Sequence, residues 1–203
     1  MARVDDRGGP MVRAAQFYSK RKYGRELTIT PVIAHSRPTM IGWGAFEWWH
    51  EHANRVDERL KDLAATRVAT RVGCQFCIDI GSALGRQAGV TEEQLRDFHN
   101  YRTSPLFSDE ERVVMEYAEE LTKEQVQVPE ELFARLRDHF DEAQIVELTA
   151  AIAIENFRAR FNNALDVEPA GFSEGLFCPV PDGLATAAVA QEAGQSEEIR
   201  TSA

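Results

Sequence analysis

Cysteine is scarce in this chain: three residues out of 203, at positions 74, 77 and 178. A secreted fold stapled by disulfides uses more of them, so a permanent crosslinked framework is not what organises the molecule. Positive charge is also short. Lysine and arginine total 23 against 33 aspartates and glutamates, a formal net charge of −10. Nucleic acid and anionic membrane surfaces both ask for a basic face, so neither is expected as a partner. Long apolar runs are missing too: no window approaches the roughly 18 residues of a membrane span. Met1–Pro10 is charged and holds no apolar stretch of the secretory-signal type. The expectation from these absences is a cytoplasmic protein. Period-2 strand patterns, Asn-Gly hairpin signals and internal repeats are absent as well, which turns the reading away from β-structure.

What is present is helical periodicity. Hydrophobic residues make up 43% of the chain, enough for one sizeable core. Leu60, Leu63, Ala64, Val68 and Val72 recur at three- and four-residue spacing, one face of a helix that Gly73 ends. Thr91-Glu92-Glu93-Gln94 and Ser108-Asp109-Glu110-Glu111 both have the form of a capping box opening a helix. Pro129 is expected at a first helical position. Asp141-Glu142-Ala143-Gln144 opens a further helix reaching about Leu165. Its apolar residues from Ile145 to Ile154 run all the way round, so it should be central and buried. The pattern predicts an all-α bundle of six to eight helices with short connections. Residues 1–30 read as a tail or basic arm, 31–167 as the helical domain and 168–203 as an irregular C-terminal tail. Trp43, Phe46, Trp48 and Trp49 form an aromatic cluster suited to core, to a subunit interface, or to a share of each.

The chemistry concentrates at Gly73-Cys74-Gln75-Phe76-Cys77. With Gly73 as the cap of the following helix, Cys74 is its first residue and Cys77 its fourth, so both sulfurs share a face and can meet in a disulfide. The positive end of the helix dipole favours thiolate over thiol, and Arg71 stands close by in sequence. Such a pair can reduce a peroxide, one sulfur becoming a sulfenic acid that the other resolves. Alternatives are a metal site or inert buried thiols. Thioredoxin chemistry would require a βαβ context that is missing. Zinc would require four ligands, and no second Cys-x-x-Cys exists to join Cys178 and His99.

The order of these parts resembles the carboxymuconolactone decarboxylase family, and within it the alkylhydroperoxidase D-like branch. The resemblance rests on Asp62 twelve residues before Cys74, the Gly-Cys-x-x-Cys motif between two helices, and a long helix ending in Asn156-Phe157-Arg158-Ala159-Arg160-Phe161-Asn162-Asn163-Ala164-Leu165. It covers residues 40–167. The decarboxylase branch lacks the cysteine pair, so Cys74 and Cys77 favour the peroxidase-like branch. The resemblance implies that Cys77 attacks peroxide, that Cys74 is proton donor and resolving thiol, and that the carboxylate at Asp62 belongs to a proton relay. It implies a hydroperoxide substrate, an unidentified thiol reductant, no cofactor, and a homo-oligomer (trimer, hexamer or dimer). Three departures stand out. The relay carboxylate is Asp62 where the family uses glutamate. The histidine four residues after the second cysteine is Gly81, and the one between the cysteines is Phe76. Both imidazoles that would move protons are therefore missing, which leaves His50, His52 or His99 as replacements, or a water over Gly81.

Elsewhere the reading divides. Asp62, with Thr66 and Ala69 at four- and seven-residue spacing, is either a site-facing stripe or a surface carboxylate. Glu147, inside an apolar helix, is expected to pair with Arg67 or Arg71 or to join the relay, because an unpaired buried carboxylate is costly. Glu155, Asn156, Arg158 and Arg160 are read as packing or subunit contacts, Asp79 and Ser82 as helix-surface residues, and Cys178 as a small loop or interface residue. A catalytically degenerate family member that binds a small molecule or acts as a scaffold is the alternative to the enzyme.

Overall fold

A computed structural model describes residues 8–184. Among these the chain forms nine α-helices, one 3₁₀ turn and no strand. The helices are α1 (Pro10–Tyr23), α2 (Ile29–Ile33), α3 (Arg37–His52), α4 (Glu58–Val72), α5 (Gln75–Gln87), α6 (Glu92–Arg96), α7 (Asp109–Thr122), α8 (Glu130–His139) and α9 (Glu142–Ala164). The all-α expectation holds. The count exceeds six to eight because α2 and α6 are five-residue helices too short to show a period. None of the described helices is long and apolar enough to cross a membrane. The tail readings at residues 1–7 and 185–203 lie outside the described residues.

Local chemistry sets the helix starts. Thr91, Ser108 and Asp141 each accept a bond from the backbone three residues on, while Gln94, Glu111 and Gln144 reach back to the cap, completing all three boxes. Pro129 falls one residue outside its helix and serves as the cap of α8. Ser36 caps α3, whose first turn takes up Pro38.

Helix α4 is the axis of the fold. It packs on α5, α7 and α9, and three apolar clusters meet around it. Leu60, Ala64 and Val68 join α7, α8 and α9. Ala69 joins α2, α3 and the cysteine helix. Leu63 joins Leu95, Phe98, Tyr101 and Met115. A helix buried on so many sides must also satisfy its polar residues. Arg67 bonds Glu119 at 2.7 Å and Asp182 at 2.9 Å, and the Lys61 ammonium donates to the Ala53 carbonyl at 2.7 Å.

Helix α9 differs from its expectation. Leu148, Ile152 and Ala159 are fully buried, yet Val146 is 69% exposed and Phe157 45%. Only one side of the helix meets the rest of the described chain. Glu147 pairs with neither Arg67 nor Arg71. Its carboxylate instead accepts the backbone N–H groups of Arg55 and Val56 at 3.0 Å each, holding the turn before α4. The segment after α9 is irregular but firmly attached. Asp79 of α5 accepts from the Phe172 and Ser173 backbones at 2.9 and 2.7 Å, Arg86 bonds the Phe177 carbonyl, and Arg67 and Arg71 both reach Asp182. This strap lies along the cysteine helix. Asp79 and Ser82, expected at the surface, are therefore buried, at 8% and 0% exposure.

Candidate active site

Gly73 adopts a left-handed conformation (φ 81°) and closes α4, its N–H bonding the Ala69 carbonyl. This conformation suits glycine because it has no Cβ. Gly73 therefore cannot also cap the next helix, and the frame shifts by one residue from the sequence expectation. Cys74 is the cap of α5, in extended conformation, and its Sγ accepts the Cys77 N–H at 3.2 Å. Cys74 and Cys77 are joined as a disulfide with Cα atoms 5.3 Å apart, an ordinary separation for such a bond. Both are buried. Cys178 is a free thiol, partly buried, packed against the same cluster.

The two sulfurs differ in what they face. Cys77 lines a cavity of about 480 Å³ and Cys74 does not. The Asn162 amide donates to Cys77 Sγ at 3.4 Å, while the Asn162 carbonyl oxygen is buried without a partner among the described residues. Apolar walls come from Met40, Trp43, Phe76, Ile80 and Leu84. Helix α1, read from sequence as a basic arm, supplies Tyr18 and Tyr23 to the outer wall. The Tyr18 hydroxyl bonds Glu51 of α3, and Lys22 pairs with the same carboxylate.

The polar part of the cavity joins α3, α4 and α9. Asp62 lines it and is 6% exposed, so the stripe Asp62–Thr66–Ala69 faces inward. Burial raises the Asp62 carboxyl to about 7, with Glu58 adding to the effect and Lys61 opposing it. Glu155 is raised to about 7 by burial against the pull of Arg158. Arg158 makes a two-pronged bond to Glu47, at 2.9 and 2.7 Å, and a third to Glu155 at 3.2 Å. His50 lines the same space. Burial and then the Arg158 charge lower its pKa, which keeps the imidazole neutral at ordinary pH. Of the other two candidate histidines, His52 stacks on Trp48, and His99 stands 3.6 Å from Asp182 under the strap. Gly81 also faces the cavity. A Cβ there would sit 3.0 Å from Thr66 Oγ1, so the position lacks the imidazole, and a side chain placed there would need Thr66 to give by a few tenths of an ångström.

Sequence reasoning singled out Asp62, Cys77 and His50 and missed Glu47. It assigned Glu155 and Arg158 to packing or subunit contact; both are cavity residues. The signal was present: Glu155, Arg158 and Asn162 recur at spacings of three and four on one face of an otherwise apolar helix. Among the described residues no group of three or more His, Cys, Asp or Glu side chains is arranged to hold a metal ion.

Comparison with known proteins places the chain in a family and finds solved structures with the same all-α fold. The sequence profile of the carboxymuconolactone decarboxylase family matches residues 39–120. The uncharacterized protein YnjA of Escherichia coli K12 is 32% identical over 178 residues, 85% of this chain and 92% of that protein. The chain belongs to the carboxymuconolactone decarboxylase family. Solved structures agree on the fold. An alkylhydroperoxidase AhpD core, an uncharacterized peroxidase-related protein from Ralstonia eutropha JMP134, superposes with a TM-score of 0.71 at 17% identity, covering 83% of this chain and 92% of that one. The apo debrominase Bmp8 gives a TM-score of 0.70 at 19% identity, covering 80% and 88%. The family profile takes in Asp62, both cysteines and Gly81. Tyr18, Tyr23, Glu155, Arg158 and Asn162 fall outside it, so much of the cavity wall comes from helices beyond the matched residues.

Proposed function

We propose that this family member is a dithiol oxidoreductase that reduces hydroperoxides, with Cys77 as the attacking thiol. One observation carries the reading: of a buried, bonded cysteine pair, the sulfur of Cys77 faces a cavity that also holds carboxyls with raised pKa. In the reduced enzyme the Cys77 thiolate attacks the terminal peroxide oxygen. The O–O bond breaks, Cys77 becomes a sulfenic acid, and the departing alkoxide takes a proton to leave as alcohol. Cys74 then attacks the Cys77 sulfur, the S–O bond breaks, hydroxide is protonated to water, and the disulfide forms. An external thiol reductant returns two electrons and two protons.

Asp62 fits the role of proton donor to the alkoxide, because an acid with a pKa near 7 is half protonated at the working pH. Glu155 and neutral His50, on the same cavity, supply the remainder of a relay that does without imidazoles at positions 76 and 81. Cys74, as helix cap, is the better leaving sulfur, since a helix N-terminus stabilises its thiolate. The exposed side chains of Ile41, Phe46, Trp48 and Phe157 support a homo-oligomer in which α3 and α9 meet a second copy.

The test is stoichiometric. Reduced protein given one equivalent of hydroperoxide should lose two free thiols, and Cys77→Ser should abolish the loss. In Cys74→Ser a sulfenic acid should persist and be trapped by dimedone. Thiols that stay unreactive at neutral pH would sink the enzyme reading in favour of a family member that only binds small molecules.

A further inference from the structure

The cavity is larger than hydrogen peroxide needs and carries a particular balance of charge. At about 480 Å³ it has the dimensions of a small-molecule pocket, and Met40, Trp43, Phe76, Ile80 and Leu84 make most of its depth apolar. A substrate that fills this space removes its own apolar surface from water, which hydrogen peroxide cannot do. The polar lining is acidic. Glu47, Glu51, Asp62 and Glu155 face it, and among the described lining residues Arg158 is the one permanent cation. The charge of Arg158 is already matched by two carboxylates of the wall, which take three of its five N–H groups. Its Nε and Nη2 are bonded to Glu47 and its Nη1 to Glu155. Glu51 is held by Lys22 and the Tyr18 hydroxyl at the outer wall, so the Lys22 charge is engaged as well. His50 is uncharged at ordinary pH.

We propose that this cavity selects bulky, uncharged hydroperoxides, and that the carboxyl groups of Glu47, Asp62 and Glu155 turn away hydroperoxides that carry a carboxylate. The inference rests on the reading of Cys77 as the peroxide-reactive thiol. An anion entering here leaves water and meets like charge with no free counterion, which is the arrangement by which a site rejects a wrong partner. A neutral aryl or branched alkyl group meets tryptophan, phenylalanine and aliphatic side chains and pays no such penalty. Discrimination by charge is then a property of the wall, separate from the reactivity of the sulfur.

The experiment uses the full-length reduced protein and three probes: hydrogen peroxide, cumene hydroperoxide bearing a para-carboxylate, and the methyl ester of that acid. Rates of thiol loss are followed at pH 7.5 (an assay condition of about neutral pH), each divided by the rate of the same probe with free dithiothreitol. The ester should react at least about tenfold faster than the acid, and faster than hydrogen peroxide. Glu155→Gln and Glu47→Gln should each lower the ratio of the ester's rate to the acid's, a ratio that is unaffected by any slowing common to both probes when Glu155 is lost from the relay. Equal normalised rates for ester and acid would overturn the selectivity while leaving the dithiol reading in place. Failure of all three probes to oxidise the thiols would overturn both. The comparison on unmodified protein decides the matter even if neither variant folds.

Discussion

Asp62 is where the energetics of the site can be measured most directly. Its carboxyl is raised to about 7 in the fold, against an ordinary value near 4 in an unfolded chain. The folded state therefore binds the proton more tightly. The contribution to stability is complete below about pH 4 and is lost as pH rises through about 7, so Asp62 makes the protein less stable at pH 8 than at pH 5. Asp62→Asn removes the titration: stability at pH 8 should rise by about 1–2 kcal/mol and its decline between pH 5 and 8 should flatten, as read by urea unfolding. Peroxide reduction in the same variant should fall by about two powers of ten if Asp62 gives the proton; an unchanged rate would remove it from the mechanism. Gly81 offers the converse experiment. Thr66 Oγ1 crowds the position, so Gly81→His is best combined with Thr66→Ala. Restoring an imidazole beside Cys77 should raise the rate roughly tenfold, and no change would mean that the relay already runs through other groups.

At the scale of elements, what could be read from sequence was what is local. Three helix starts were legible because the cap and its partner are three residues apart, and the cysteine motif was legible because its spacing is one helical turn. The partners of Asp79 lie 93 and 94 residues away along the chain, and no local pattern announces them. The same holds for Glu147, whose ligands are backbone groups of a turn 92 and 91 residues distant. The place of α1 was hidden for another reason: its basic residues dominate the reading, while the cavity uses Tyr18 and Tyr23 between them. The strap is the element most open to test. Asp79→Ala leaves two backbone N–H groups without their acceptor and should destabilise the protein by about 2–4 kcal/mol. Amide exchange should accelerate at Phe172 and Ser173 well before it does in α4. Uniform acceleration throughout would show that the strap and the bundle unfold together.

For the molecule as a whole, the apolar side chains left outside on α3 and α9 are the feature a lone copy does not explain. Trp48 is 63% exposed and Ile41 59%, an unusual exposure for residues of that size. A sedimentation experiment should find a species larger than one chain, and Trp48→Glu or Phe157→Glu should shift it toward the monomer; a monomeric wild type would leave the patch to some other partner. One consequence of the cavity concerns the order of events in turnover. Both sulfurs are buried, and of the two only Cys77 borders open space among the described residues. On the proposed dithiol chemistry, oxidant and reductant must then enter by one doorway, and neither can be present while the other is bound. Steady-state kinetics should show parallel double-reciprocal lines, with each substrate a competitive inhibitor of the other at high concentration. A slender thiol should regenerate the enzyme faster than a folded protein reductant whose own dithiol cannot reach that depth.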